Sequence, residues 1–310
     1  MDEVLTQYKA QYPTMSDQHR LLFAANKEAE LASGWKIAIP NPSRGQRFSD
    51  VAFNAVARLQ LGIPILAEER KCNAAGCNGR IDIFGYHMFA CGGTGNFRIS
   101  RHEMVVGALS DLAREAGFGI RINPSESLPW SHSTHADSSH RGQISLNRSG
   151  KKNSKARKSF RKLKPADLMI TDSKQTVIDV TIVSPFCKSH MPEKNERFRA
   201  VDNAAHLKTN KYNLACIENG LVFLPFAVDV CGTLQSDASH FVQRLADSIA
   251  SRTGSALSLS VSFVRQRLSC ALFRAVAMQL VPLLVEHVHP TLFNDPILHN
   301  SVALGRNLVI

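Results

Sequence analysis

Two short apolar runs, each carrying a single aspartate, lie close together in this chain: Ala166-Asp167-Leu168-Met169-Ile170 and, after a polar break, Val177-Ile178-Asp179-Val180-Thr181-Ile182-Val183. Their length and β-branched content predict two strands, at about 166–171 and 176–183. An acid between Ile178 and Val180 is costly in a buried strand unless it is paired or holds a cation. The chain is therefore expected to build a sheet whose interior answers a carboxylate. Adjacent hairpin strands bring Asp167 and Asp179 together, and a divalent cation relieves the repulsion between two such anions. The competing reading is an exposed turn residue at 167 and an Asp179 hydrogen-bonded to its neighbour strand.

The rest of the chain supplies helices around that hairpin. Residues 1–34 read as polar helix with a weak apolar stripe. Residues 34–40 form a short apolar segment closed by Pro40 and the Asn41-Pro42 turn. Ser49 or Asp50 caps a helix to about residue 61, ended by Gly62 and Pro64. A helix is expected at about 101–116, ended by Gly117, then a strand at 118–123. Residues 124–162 are polar, without periodicity, and read as a loop. A helix at about 196–219 follows, then a strand at 221–228 containing Pro225, then helices at about 235–251 and 256–285. The order helix, strand, strand, strand, helix, strand, helix predicts a mixed α+β (α/β) fold with a small sheet flanked by helices. Four regions are expected: a helical linker at 1–70, a Cys-rich knuckle at 71–100, a core at 101–255 with a basic insert at 124–164, and C-terminal helices and tail at 256–310.

The basic insert dominates the charge. The chain carries a formal +11, and residues 147–164 hold nine Lys or Arg and no acid. These are Arg148, Lys151, Lys152, Lys155, Arg157, Lys158, Arg161, Lys162 and Lys164. Such an arm suits phosphate contacts, salt-sensitive and with little sequence reading. DNA is the expected partner, with RNA second. A nuclear-localisation patch and a solvated loop are the rival readings. With Phe160 as its one aromatic, the tract is not a base-stacking platform. His132, His135 and His140, just upstream, are metal-ligand candidates but read better as solvated histidines. No run of 18 or more apolar residues exists, so no membrane partner is expected. The N-terminus lacks the basic start and apolar core of a signal peptide. Seven cysteines, three of them clustered with a histidine, suit a reduced compartment, nucleus or cytoplasm, better than a disulfide framework.

That cluster is Cys72, Cys77, His87 and Cys91, spaced C-x4-C-x9-H-x3-C. Zinc takes four N or S ligands in a tetrahedron, and two ligand pairs joined by a short loop supply them. Residues 72–100 are rich in Gly and Cys with few apolar residues, so zinc is expected to replace a missing core. Four protein ligands make this a closed structural site rather than a catalytic one. His102 is a less favoured substitute ligand, because it is expected to start the next helix. The alternative is three buried cysteines and a surface histidine.

Lys164-Pro165-Ala166-Asp167, followed by Ile178-Asp179-Val180-Thr181, resembles the PD-(D/E)XK nuclease signature. Further phrases are Phe84-Gly85-Tyr86-His87, Arg101-His102-Glu103, Asp179 to Pro185, Lys211-Tyr212 and Arg265 to Ser269. Together with the upstream knuckle they make residues 34–285 similar to one region of site-specific non-LTR retrotransposon polyproteins. That region is the C-terminal zinc knuckle and restriction-like endonuclease. The resemblance implies a restriction-endonuclease-like sheet and a catalytic magnesium ion held by Asp167 and Asp179. Thr181 stands where a D-x-K pattern would place lysine. The catalytic lysine is therefore expected from the following helix, Lys211 first and Lys208, one turn away on the same face, second. Glu103 is either an accessory acid or a solvated helix-start residue. The chain has no reverse-transcriptase Tyr/Phe-x-Asp-Asp motif. It is thus expected to be a separated piece or remnant, with a reverse transcriptase encoded upstream as a candidate partner. Two functions follow from the resemblance: a metal-dependent endonuclease that nicks target DNA, and an inactive nucleic-acid-binding remnant. A structural domain without a nucleic-acid role is the third candidate.

Overall fold

The computed structural model describes residues 16–124, 166–187 and 199–285. Among them are seven α-helices and two sheets, a mixed α+β fold. The helices are α1 (Asp17–Glu28), α2 (Gly34–Ile37), α3 (Asp50–Leu61), α4 (Gly95–Glu115), α5 (Arg199–Glu218), α6 (Ser236–Thr253) and α7 (Leu257–Val285). A two-stranded sheet pairs β1 (Arg70–Lys71) with β2 (Arg80–Ile81). The main sheet has the order β3 (Gly119–Ile122), β4 (Leu168–Thr171), β5 (Gln175–Val183), β6 (Val222–Asp229). Its first two pairings are antiparallel; β5 and β6 run parallel, because α5 carries the chain back between them.

Period-2 alternation along β5 divides the main sheet between two layers. Ile178 and Val180 enter a core with Val105, Leu109 and Leu112 of α4, Phe241 and Leu245 of α6, and Leu268 of α7. Val177 joins Met169, Cys216 and Leu221, and Val183 packs on Val201, Ala204, Ala205 and Ala227, all under α5. Asp179 lies between Val177 and Val183 in this second set, on the α5 side. Pro225 of β6 is its in-register neighbour. β6 ends the sheet among the described residues, so the missing N–H of Pro225 is tolerated there.

A second core unites α1, α3, β2, the turn at Tyr86–Phe89 and the far half of α7: Leu22, Leu59, Ile65, Ile81, Tyr86, Phe89, Val276 and Leu280. The knuckle segment is therefore not short of apolar support, contrary to expectation; Ile81, Tyr86, Met88 and Phe89 are all buried. Helix α7 serves both cores, with Val264 and Leu268 in the first and Val276 and Leu280 in the second. Trp35 and Val56 pack on its Phe273. A helix with neighbours on every side is apolar all round. By length and composition Leu257–Leu284 is long and apolar enough to cross a membrane, yet 72% of its most apolar window is buried inside the protein.

Several local signals act as read. Ser49 caps α3, its hydroxyl accepting from the Ala52 N–H at 3.3 Å, and Gly62 ends it at φ +64°. Two boundaries differ. The apolar segment at 34–40 contains one helical turn that buries Trp35. Helix α4 begins at Gly95, so His102 lies two turns inside it rather than at its start.

Candidate metal centres

The β4–β5 register is what brings the two aspartates together. Leu168 faces Ile178 in the last ladder pair. One further step would set Asp167 opposite Asp179. There β4 ends while β5 continues, and Asp167 takes over from the strand. Its N–H donates to the Ile178 carbonyl at 2.9 Å, and its Oδ2 accepts the Val180 N–H at 2.7 Å. On the other side its carbonyl accepts the Asn123 N–H at 2.9 Å. Asp179 is 5% exposed. Burial pushes its pKa above the ordinary 3.8, and the Asp167 charge adds to that rise, while Lys208 and His102 oppose it.

Lys208 and His102 answer the pair. Lys208 of α5 places Nζ 2.7 Å from Asp179 Oδ2. Thr181 Oγ1 donates to the same oxygen at 3.4 Å. His102 of α4 places Nε2 3.0 Å from Asp167 Oδ2, and its Nδ1 lies 3.2 Å from Glu103 Oε1. The hydrogen bond to Asp167 is the main reason the His102 pKa is raised above 6.5. The two candidate lysines differ in reach. Lys208 reaches the carboxylate, whereas Lys211 is exposed and lies over the Tyr212 ring at 4.6 Å. Residues 201, 204, 205, 212, 215 and 216 of α5 are buried; the half-buried Lys208 falls in line with them at helical spacing, and 211 does not. Glu103 approaches the site through His102, a link that residue patterns alone do not reveal.

The knuckle gathers Cys72, Cys77, His87 and Cys91 with all four ligand atoms within 4.8 Å of one another. Cys72 Sγ is 3.7 Å from Cys91 Sγ, and Cys77 Sγ is 3.4 Å from His87 Nε2. A tetrahedral ion with metal–sulfur bonds of about 2.3 Å and metal–nitrogen bonds of about 2.0 Å demands edges of roughly 3.8 and 3.5 Å. The donor set therefore fits a metal such as zinc. Its frame is built locally. The Asp82 carboxylate accepts the N–H groups of Phe84, Tyr86 and His87, at 2.9 to 3.1 Å, and so shapes the loop that presents His87. A Cβ at Gly79 would meet His87 Cε1 at 2.5 Å, so a side chain there would displace the imidazole that this loop passes beneath. The Gly79 N–H donates to Cys77 Sγ and pulls that thiol's pKa down, while burial pushes Cys91 up to about 11. His102 contacts Asp167 and stands outside the ligand group.

One buried link joins the two centres. Arg101, 3% exposed, donates to Gln279 Oε1 at 2.8 Å and to the Ile182 carbonyl of β5 at 3.3 Å. Gln279 donates in turn to the carbonyl of Met88, between His87 and Cys91. Burial lowers the Arg101 pKa to about 10. The basic tract with Lys151, Lys152, Lys155, Arg157, Lys158, Arg161 and Lys162 lies outside the described residues, as do His132, His135 and His140. The chain matches no protein-family model. A search of curated proteins finds no match to it either.

Proposed function

We propose that this chain is a divalent-metal-dependent DNA endonuclease of the PD-(D/E)XK kind, with zinc in its knuckle and magnesium at Asp167 and Asp179. The observation that carries the reading is the convergence of Asp167, Asp179 and Lys208 on one end of the β4–β5 pair. They sit within a helix–strand–strand–strand–helix–strand order. Each carboxylate has one oxygen tied down, Oδ2, and neither Oδ1 accepts a hydrogen bond from a described residue. The pair thus has donor capacity for a hard cation, which favours oxygen ligands. When bound, magnesium would supply Lewis-acid stabilisation to the charge that builds on a scissile phosphate. The chain's own residues do the rest. Asp167 and Asp179 hold the cation, and the Lys208 ammonium stands ready to orient the attacking water or neutralise developing negative charge. The basic tract at 147–164, next to Asp167 in sequence, supplies phosphate contacts to the DNA backbone.

A second reading, the inactive nucleic-acid-binding remnant, draws on a different fact. Both acids are already answered internally, Asp179 by Lys208 and Asp167 by His102. Incubating supercoiled plasmid with magnesium and either wild type or Asp167→Ala separates the two. The nuclease reading expects nicked circles from wild type alone. Equal nicking by both, or none by either, sinks it; salt-sensitive binding without nicking supports the remnant. Weak, salt-insensitive binding would argue against any nucleic-acid role.

A further inference from the structure

We propose that His102 is a positioning residue of the carboxylate site, holding Asp167 so that one oxygen alone is presented to a divalent cation; this rests on the reading of Asp167 as a metal ligand. Asp167 lies just past the last ladder pair of β4, where strand pairing no longer fixes a side chain. Two donors fix it instead, and both reach the same oxygen. The Val180 N–H bonds Oδ2 at 2.7 Å from β5, and His102 Nε2 bonds it at 3.0 Å from α4. With Oδ2 held from two elements, rotation about the carboxylate axis is restrained and Oδ1 is the oxygen left for a ligand.

The imidazole is itself oriented. Its Nδ1 faces Glu103 Oε1 at 3.2 Å, so both ring nitrogens point at carboxylates and the ring is restrained at both ends. Lys208 is engaged with Asp179 Oδ2 at 2.7 Å, and the ion pairs made by the described residues give Asp167 no cation but His102. The arrangement is a carboxylate ligand with its own supporting hydrogen bonds, the kind of partner whose loss costs roughly 10–100-fold in metal affinity. A lone tie between helix and sheet would not require Glu103 behind it. The side chain is only partly buried, so the position tolerates substitution.

The test uses the full chain, with manganese as a spin-active divalent probe, in wild type, His102→Leu, His102→Gln and Asp167→Ala. Glutamine returns an amide N–H near the position of Nε2; leucine returns only bulk. Manganese affinity is read by electron paramagnetic resonance, and stability by urea unfolding. The expected result is a loss of about 10–100-fold in affinity for His102→Leu, with recovery to within about 3-fold for His102→Gln. Wild-type affinity in His102→Leu, with affinity lost in Asp167→Ala, overturns the role of His102 alone. Equal losses in the leucine and glutamine variants, tracking a common fall in stability, also overturn it in favour of a purely structural tie. Wild-type affinity in Asp167→Ala overturns the metal reading beneath it.

Discussion

In the knuckle, four donor atoms come from the twenty residues 72–91 and converge to within 4.8 Å. In the carboxylate site, the interacting groups come from α4, the β4–β5 pair and α5, and span residues 102 to 208. The knuckle's geometry is written in short-range turns: an aspartate accepting three N–H groups, and a glycine passing beneath an imidazole. The carboxylate site depends on strand register and helix phase, which only the assembled fold supplies. A site of the first kind takes its donor geometry from its own loop, even where its apolar backing comes from elsewhere. A site of the second kind reports on the packing of the whole core.

The contrast can be broken most decisively at Asp179. In Asp179→Asn, plasmid nicking should fall on the order of 10³-fold, while zinc content by atomic emission stays at the wild-type level. Loss of zinc in that variant would show that the sites are not separately built. Next in size, Lys208→Met should lower the nicking rate by about 10²-fold and Lys211→Met by no more than about 3-fold. Equal losses would place Lys211 back in the chemistry. On the knuckle side, Gly79→Ala should weaken zinc retention by roughly 10–100-fold in a chelator competition and leave helical circular dichroism intact. Unchanged retention would mean that the loop yields where the close approach at Gly79 says it cannot.

The smallest effect is on pH. The folded pKa of His102 is raised, chiefly by Asp167. Its contribution to stability is therefore full below 6.5 and is lost as pH rises through the raised value. The unfolding free energy of wild type in urea should fall as pH rises above 6.5, by no more than about 1 kcal/mol for a partly exposed pair. His102→Gln should flatten that slope. Asp179, also raised, acts with the same sign from 3.8 upward, and Asp179→Asn isolates its share.

Much of this was legible in the residues because much of it is local. The spacing of Cys72, Cys77, His87 and Cys91 is enough to suggest a ligand set, and two apolar runs separated by a short break are enough to suggest a hairpin. That the aspartates oppose one another follows from the turn at 171–175, which fixes the register. Lys208 is legible too, because it falls at helical spacing between the apolar Val201, Ala205 and Tyr212. His102 and Arg101 were not. Their partners, Asp167, Ile182 and Gln279, lie from 65 to 178 residues away, and no periodicity encodes such distances. The apolar backing of the knuckle escaped for the same reason: its other wall is α7.

That helix also sets a schedule. Every residue named in the knuckle and the carboxylate site precedes Leu257, yet both cores close on side chains of α7. During synthesis, the wall that α7 gives to each core is absent until residues 257–285 have left the ribosome. The packing of Val264 and Leu268 in one core, and of Val276 and Leu280 in the other, is made last. Folding is thereby deferred to late contacts of long sequence separation, which close slowly.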